Sequence, residues 1–185
     1  MKLIITGTIS LLLIFNVAAQ RHVKRPVAKK KMVRNHKVMV VKQHRGERAD
    51  VIRVLKKTNK VIIAAHSQVK KNKVYTGDLS KAVHHQKYAK KLLKKHKAHY
   101  SMQHSRIARK YAIKAIKNNK GTVGKEMEFN NEENKIIGKT ISDEELEKEL
   151  LKNEPNTTYD DKTISDKEMT DLEVLEMDEA DYKNE

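Results

Sequence analysis

Two histidines hold matching places in a repeated segment. Val83-x-His85-Gln86-Lys87-Tyr88-Ala89-Lys90-Lys91-Leu92 recurs nineteen residues later as Met102-x-His104-Ser105-Arg106-Ile107-Ala108-Arg109-Lys110-Tyr111. A third histidine, His66, lies at the edge of an apolar stripe upstream. Neutral imidazole is a good ligand for zinc, copper or nickel, and three suffice when water fills the remaining position. His66, His85 and His104 are therefore the candidate metal ligands, with zinc as the cofactor such a set would take. No tight ligand motif of the HExxH kind accompanies them. The alternative is a set of core histidines hydrogen-bonded to Gln86, Ser105, a tyrosine or the backbone.

A second set of residues is cationic. Lys87, Lys90, Lys91, Lys94, Arg106, Arg109 and Lys110 fall outside the apolar stripes and are the candidate polyanion-binding residues. Phosphate and sulfate polymers and anionic lipid headgroups are attracted to such a surface, with strong salt dependence. No RNP, KH or zinc-finger pattern is present, so specific nucleic-acid recognition is not expected. Catalytic constellations are also missing: there is no GxSxG, P-loop or dinucleotide fingerprint, and no cysteine nucleophile. Before residue 126 the only carboxylates are Glu47, Asp50 and Asp78, and Asp78 reads as a helix cap. The expectation is a protein that is not an enzyme.

Three helices must position these residues. Between Glu47 and Lys71 the apolar positions Val51, Val54, Leu55, Thr58, Val61, Ile62, Ala65 and Val69 follow helical spacing, with Arg53, Lys56, Lys57, Lys60 and Lys71 opposite. The β-branched content also admits a strand hairpin, Val51–Leu55 against Val61–Ala65. Helical period predicts a second helix over Leu79–His96, with stripe Ala82, His85, Ala89, Leu92, Leu93 and His96. A third follows over Tyr100–Asn118, with stripe His104, Ile107, Ala108, Tyr111 and Ala115. Lys97–His99 is the expected turn, and the repeat predicts a hairpin with the alanine-bearing faces together. The fold class expected is all-α, a three-helix antiparallel arrangement.

Charge divides the chain. Gln20–Lys125 holds 32 Lys and Arg against 3 Asp and Glu, whereas Glu126–Glu185 holds 7 against 21. Such asymmetry points to a polyanion partner, an acidic tail, or both. Residues 1–19 combine Met1-Lys2, a short apolar run and small residues at Val17 and Ala19, which predicts a signal peptide cleaved near Ala19 and an exported, periplasmic or extracellular protein. No later segment is apolar enough to span a membrane. With no cysteine, disulfides and thiolate metal sites are excluded. Residues 20–46 are expected as a basic disordered arm and 47–121 as the helical domain. Residues 122–185 are expected as an acidic, mostly disordered tail with short helices at 143–152 and 166–178. Those two helices start at related segments, Lys139–Leu146 and Lys162–Met169, identical at six of eight positions and each with a capping signature, Ser142…Glu145 and Ser165…Glu168. The tail either shields the basic domain or is a solvated extension.

Tyr75-Thr76-Gly77-Asp78-Leu79, His84-His85-Gln86 and His104-Ser105-Arg106-x-Ala108-Arg109 together resemble an uncharacterised group of small exported bacterial helical proteins, over about residues 47–121. The resemblance implies a helical architecture and an exported address. The hairpin is also loosely similar to tetratricopeptide repeats at Ala89, Leu92 and Tyr100. It departs from them in the glycine-free turn and in its nineteen-residue period. The function expected is a non-catalytic binding or scaffold protein that engages an anionic polymer, an envelope surface or a protein partner. The alternative is a histidine-dependent metal-binding envelope protein.

Overall fold

The structure, a computed structural model, describes residues 28–173, with side chains over residues 48–172. The signal-peptide segment, residues 20–27 of the arm and the last turns of the second tail helix lie outside the described residues. Contacts separate the chain into Met1–Val38 and Met39–Glu185; the core and the site lie in the second unit, and one helix starts in the first.

The helices are α1 (Ala28–Asn72), α2 (Asp78–Lys94), α3 (Ala98–Asn118), α4 (Asn131–Ile137), α5 (Asp143–Asn153) and α6 (Asp166–Glu173), with 3₁₀ turns at Lys125–Met127 and Asp161–Thr163. The described residues contain no strand, so the fold is all-α and Val51–Leu55 and Val61–Ala65 are parts of one helix. α1, α2 and α3 run up, down and up. Thr58 meets Ser105 and Asn72 meets Asn119, the parallel relation of α1 to α3. Ser101 bonds the Ala89 carbonyl and His85 meets His104, the antiparallel relation of α2 to α3.

Two boundaries differ from the expectation. α1 begins at Ala28 rather than near Glu47 and runs through Gly46. Lys, Ala, Met and Gln are good helix formers, and one interior glycine costs only about 1 kcal/mol. The hairpin turn lies at Lys95–Lys97, two residues earlier than expected. There His96 takes the left-handed conformation (φ 57°) usual for glycine, while Lys97 N–H donates to Leu92 O and His96 N–H to Leu93 O. This puts His96 in the turn, exposed, and not on the packing stripe. Lys120 (φ 55°) ends α3 in the same way, with Gly121 N–H on Ile116 O.

Small residues bring the three helices close. Ala65 of α1, Ala82 of α2 and Ala108, Ala112 and Ala115 of α3 are fully buried among Ile62, Leu79 and Ile116. The acidic segment completes this core. Ile164, Met169 and Leu172 join the same cluster, Leu150 packs on Tyr88 and Leu92, and Leu146 is fully buried. The described part of the tail is therefore folded onto the basic helices rather than mostly disordered. Its short helices are marginal alone, and tertiary burial of their apolar faces supplies what propensity lacks. α4, which was not anticipated, has a full capping box between Asn130 and Glu133.

Candidate functional site

The repeat places one histidine at the centre of each hairpin face. His85 and His104 are fully buried, and their Nδ1 atoms are 3.0 Å apart. The rings stack at 5.2 Å between centroids. Tyr111 stacks on His85, and Tyr88 meets His104 edge-on at 4.7 Å. α5 closes the pair from outside: Glu147 Oε2 lies 2.9 Å from His85 Nε2, and Glu149 Oε2 lies 3.5 Å from His104 Nε2. Lys81 Nζ stands 3.7 Å from the other Glu147 oxygen, and Tyr88 donates its hydroxyl to Glu149.

The electrostatics follow from that arrangement. The His85 hydrogen bond outweighs burial and holds Glu147 down at about 2, so the carboxylate is ionised and His85 Nε2–H donates to it. Two facing Nδ1 atoms at hydrogen-bond distance share a single proton, because two N–H groups at 3.0 Å would repel. Burial, reinforced by the adjacent His85, pushes His104 down to about 3. Burial and the nearby Glu147 charge push the Tyr111 phenol up to about 12.

Of the three histidines proposed as a ligand set, the structure unites two. His66 Nε2 instead faces Asp166, at 3.8 Å. Among the described residues no group of three or more His, Asp or Glu side chains is arranged to hold a metal ion. The inward nitrogens of His85 and His104 are committed to each other.

The cations fare differently from the expected open surface. Arg109 is completely buried. Its guanidinium bonds Glu133 Oε1 (2.8 Å), Thr58 Oγ1 (3.1 Å) and Val54 O (3.1 Å), and lies 4.0 Å over the Phe129 ring. Burial pushes the Glu133 carboxyl up, but Lys57, the Asn130 backbone and Arg109 together hold it below its usual range. Arg106 is buried too, bonding Asp143 (2.8 Å) and Ile141 O (2.9 Å). Neither arginine belongs to an exterior binding surface; each is a buried cation matched by a carboxylate from the acidic segment.

The lysines of the hairpin are largely matched as well. Lys110 pairs with Asp143 (2.9 Å), Lys87 with Glu168 (2.5 Å) and Lys91 with Glu154 (2.5 Å), while Lys90 donates to the carbonyls of Asp171 and Leu172. Of the seven candidate polyanion residues only Lys94 is exposed with no ion pair or hydrogen bond of its side chain among the described residues; its neighbours Lys95 and Lys97 share that state.

Sequence reasoning missed the carboxylates Glu133, Asp143 and Glu147 that do this matching, and it missed Asp161. Asp161 is the least expected. Its two oxygens accept the backbone N–H groups of Thr76, Gly77 and Ser80, all at 2.8 Å, and so tie residue 161 to the start of α2. The only local signal was Gly77, whose φ of 79° opens the helix. Compared with known protein families, curated proteins and solved structures, the chain matches none.

Proposed function

We propose that this chain is an exported, non-catalytic binding protein that engages an anionic surface or polymer. The observation that supports the reading is how its cations are sorted. Along the sides of the hairpin the acidic segment supplies a carboxylate or carbonyl for Lys87, Lys90, Lys91, Arg106 and Lys110. Lys94, Lys95 and Lys97 at the hairpin end, Lys56 and Lys60 on α1, and Lys71, Lys73, Lys117 and Lys120 at the other end of the helices are exposed and meet none among the described residues. The basic helices already hold one polyanionic segment, their own; the cations left over are those that an external anion would meet.

The test is salt-dependent retention on immobilised heparin. Binding should weaken steeply as salt rises, because each neutralised anionic group releases a condensed counterion. Retention that does not change with salt, or no retention at low salt, would refute the proposal. Cutting the chain at Gly124 is not a clean test, since it would remove Leu146, Leu150 and Leu172 from the core.

A further inference from the structure

We propose that residues 174–185 dock on a basic groove of α1, as an intramolecular cover of that part of the cationic surface. α6 sets their direction. It runs antiparallel to α1 and lies between α1 and α2. On α1, Asp166 meets Lys70 and the Leu172 carbonyl accepts from Asn59. On α2, Glu168 meets Lys87 and the Leu172 carbonyl accepts from Lys90. Continued along α1, the chain next meets Lys56 and Ile52, which share a face with Asn59 at helical spacing. A groove of about 490 Å³ lies there, lined by Ala49, Ile52, Arg53, Lys56, Lys57 and Lys60. Lys56 and Lys60 are exposed and have no acidic partner among the described residues.

The segment suits this groove in charge and in pattern. Met169 and Leu172 form the buried face of α6. At the same helical spacing the next positions on that face are Glu176 and Glu179. Carboxylates thus follow the apolar anchors where, on α1, lysines follow the apolar core. Residues 174–185 hold Glu176, Asp178, Glu179, Asp181 and Glu185 against Lys183 alone. Ile52 is about 10 Å along α1 from Asn59, and twelve residues reach at most about 40 Å, so the span is easily covered. Lys71, Lys73, Lys117 and Lys120 lie behind the start of α6, and its direction carries the segment away from them. Beyond Leu172 the attachment is by exposed ion pairs, each worth at most about fivefold. Salt or a competing polyanion therefore displaces the segment while α6 stays on its apolar anchors.

Docked there, the segment occupies cations that the anionic-ligand reading leaves to an external polymer; the cover rests on that reading, and the docking does not. Zero-length carbodiimide cross-linking of the full chain, read by mass spectrometry, tests the docking. Links from Glu176, Asp178 or Glu179 to Lys56 or Lys60 within one chain are expected. They should appear beside links between Lys87 and Glu168 and between Lys91 and Glu154, pairs the structure already joins. Three results would each overturn the docking: links from residues 174–185 spread evenly over Lys56, Lys117 and Lys120; such links only between two chains; or none while the two reference pairs link. Heparin affinity at low salt tests the cover. Glu176→Gln/Asp178→Asn/Glu179→Gln should bind about fivefold more tightly than wild type. An unchanged affinity would overturn the cover. The expected cross-links without heparin retention in either protein would overturn the anionic-ligand reading and leave the docking standing.

Discussion

Acid should destabilise this protein in a defined window, and His104 should account for much of the slope. In the folded chain burial holds His104 neutral down to about 3, whereas the unfolded chain protonates it near 6.5. Between those values the unfolded state binds the extra proton. The stabilisation is therefore complete above pH 6.5 and lost as pH falls toward about 3. A full loss over that interval is about 5 kcal/mol as a ceiling, at about 1.4 kcal/mol per pH unit. Glu147 acts in the same direction at lower pH. Its folded value of about 2 lies below the usual 4.5, so its contribution is present above 4.5 and disappears as pH falls through about 2. Against a total stability of roughly 5–15 kcal/mol, the two effects are large enough to unfold the chain. Urea denaturation followed by circular dichroism at a series of pH values from 6.5 down to 3 measures the slope directly. His104→Gln, whose amide can still bond His85 Nδ1, should cost about 1–2 kcal/mol at neutral pH but flatten the dependence by one proton. An unchanged slope in His104→Gln would refute the assignment.

Other consequences are as direct. Arg109→Met should destabilise by about 3–5 kcal/mol, because it leaves the buried Glu133 carboxylate with Lys57 as its one remaining cation among the described residues; chemical denaturation measures it, and the loss should shrink when Glu133→Gln is added. Leu146→Ala should cost about 2–5 kcal/mol and loosen α5, read as a fall in amide-exchange protection over Asp143–Asn153. Gly77→Ala should cost about 1–3 kcal/mol in thermal melts, since it combines a φ of 79° with a Cβ only 3.0 Å from Tyr159 O. His66→Ala should leave zinc binding in calorimetric titration at the wild-type level, because His66 faces Asp166 rather than the histidine pair.

The hairpin was legible because its signal is local. Apolar and alanine positions at helical spacing, written twice, gave the faces that pack, and the same repeat brought His85 opposite His104. The turn was misplaced by two residues because His96 adopts a backbone conformation for which glycine is the usual marker. Arg109 could not be placed from spacing. It follows Ala108 on the flank of the stripe, and its burial depends on Glu133, which arrives from a separate helix. The docking of the acidic segment left a faint trace, Leu146 and Leu150 one helical turn apart behind a Ser142 cap. Which basic residue each carboxylate would meet depends on pairings 24 to 96 residues apart in the chain, and no periodicity encodes those.

The division of the cations into matched and unmatched sets predicts different heparin affinities for two triple variants, compared at several salt concentrations. Lys94→Gln/Lys95→Gln/Lys97→Gln should weaken binding and lower the salt slope, because each lost contact removes a released counterion. Lys87→Gln/Lys91→Gln/Lys110→Gln, which touches only lysines already paired with Glu168, Glu154 and Asp143, should change both far less. An equal or larger loss in the second variant would show that the paired lysines bind the polymer and that the pairing does not sort the cations.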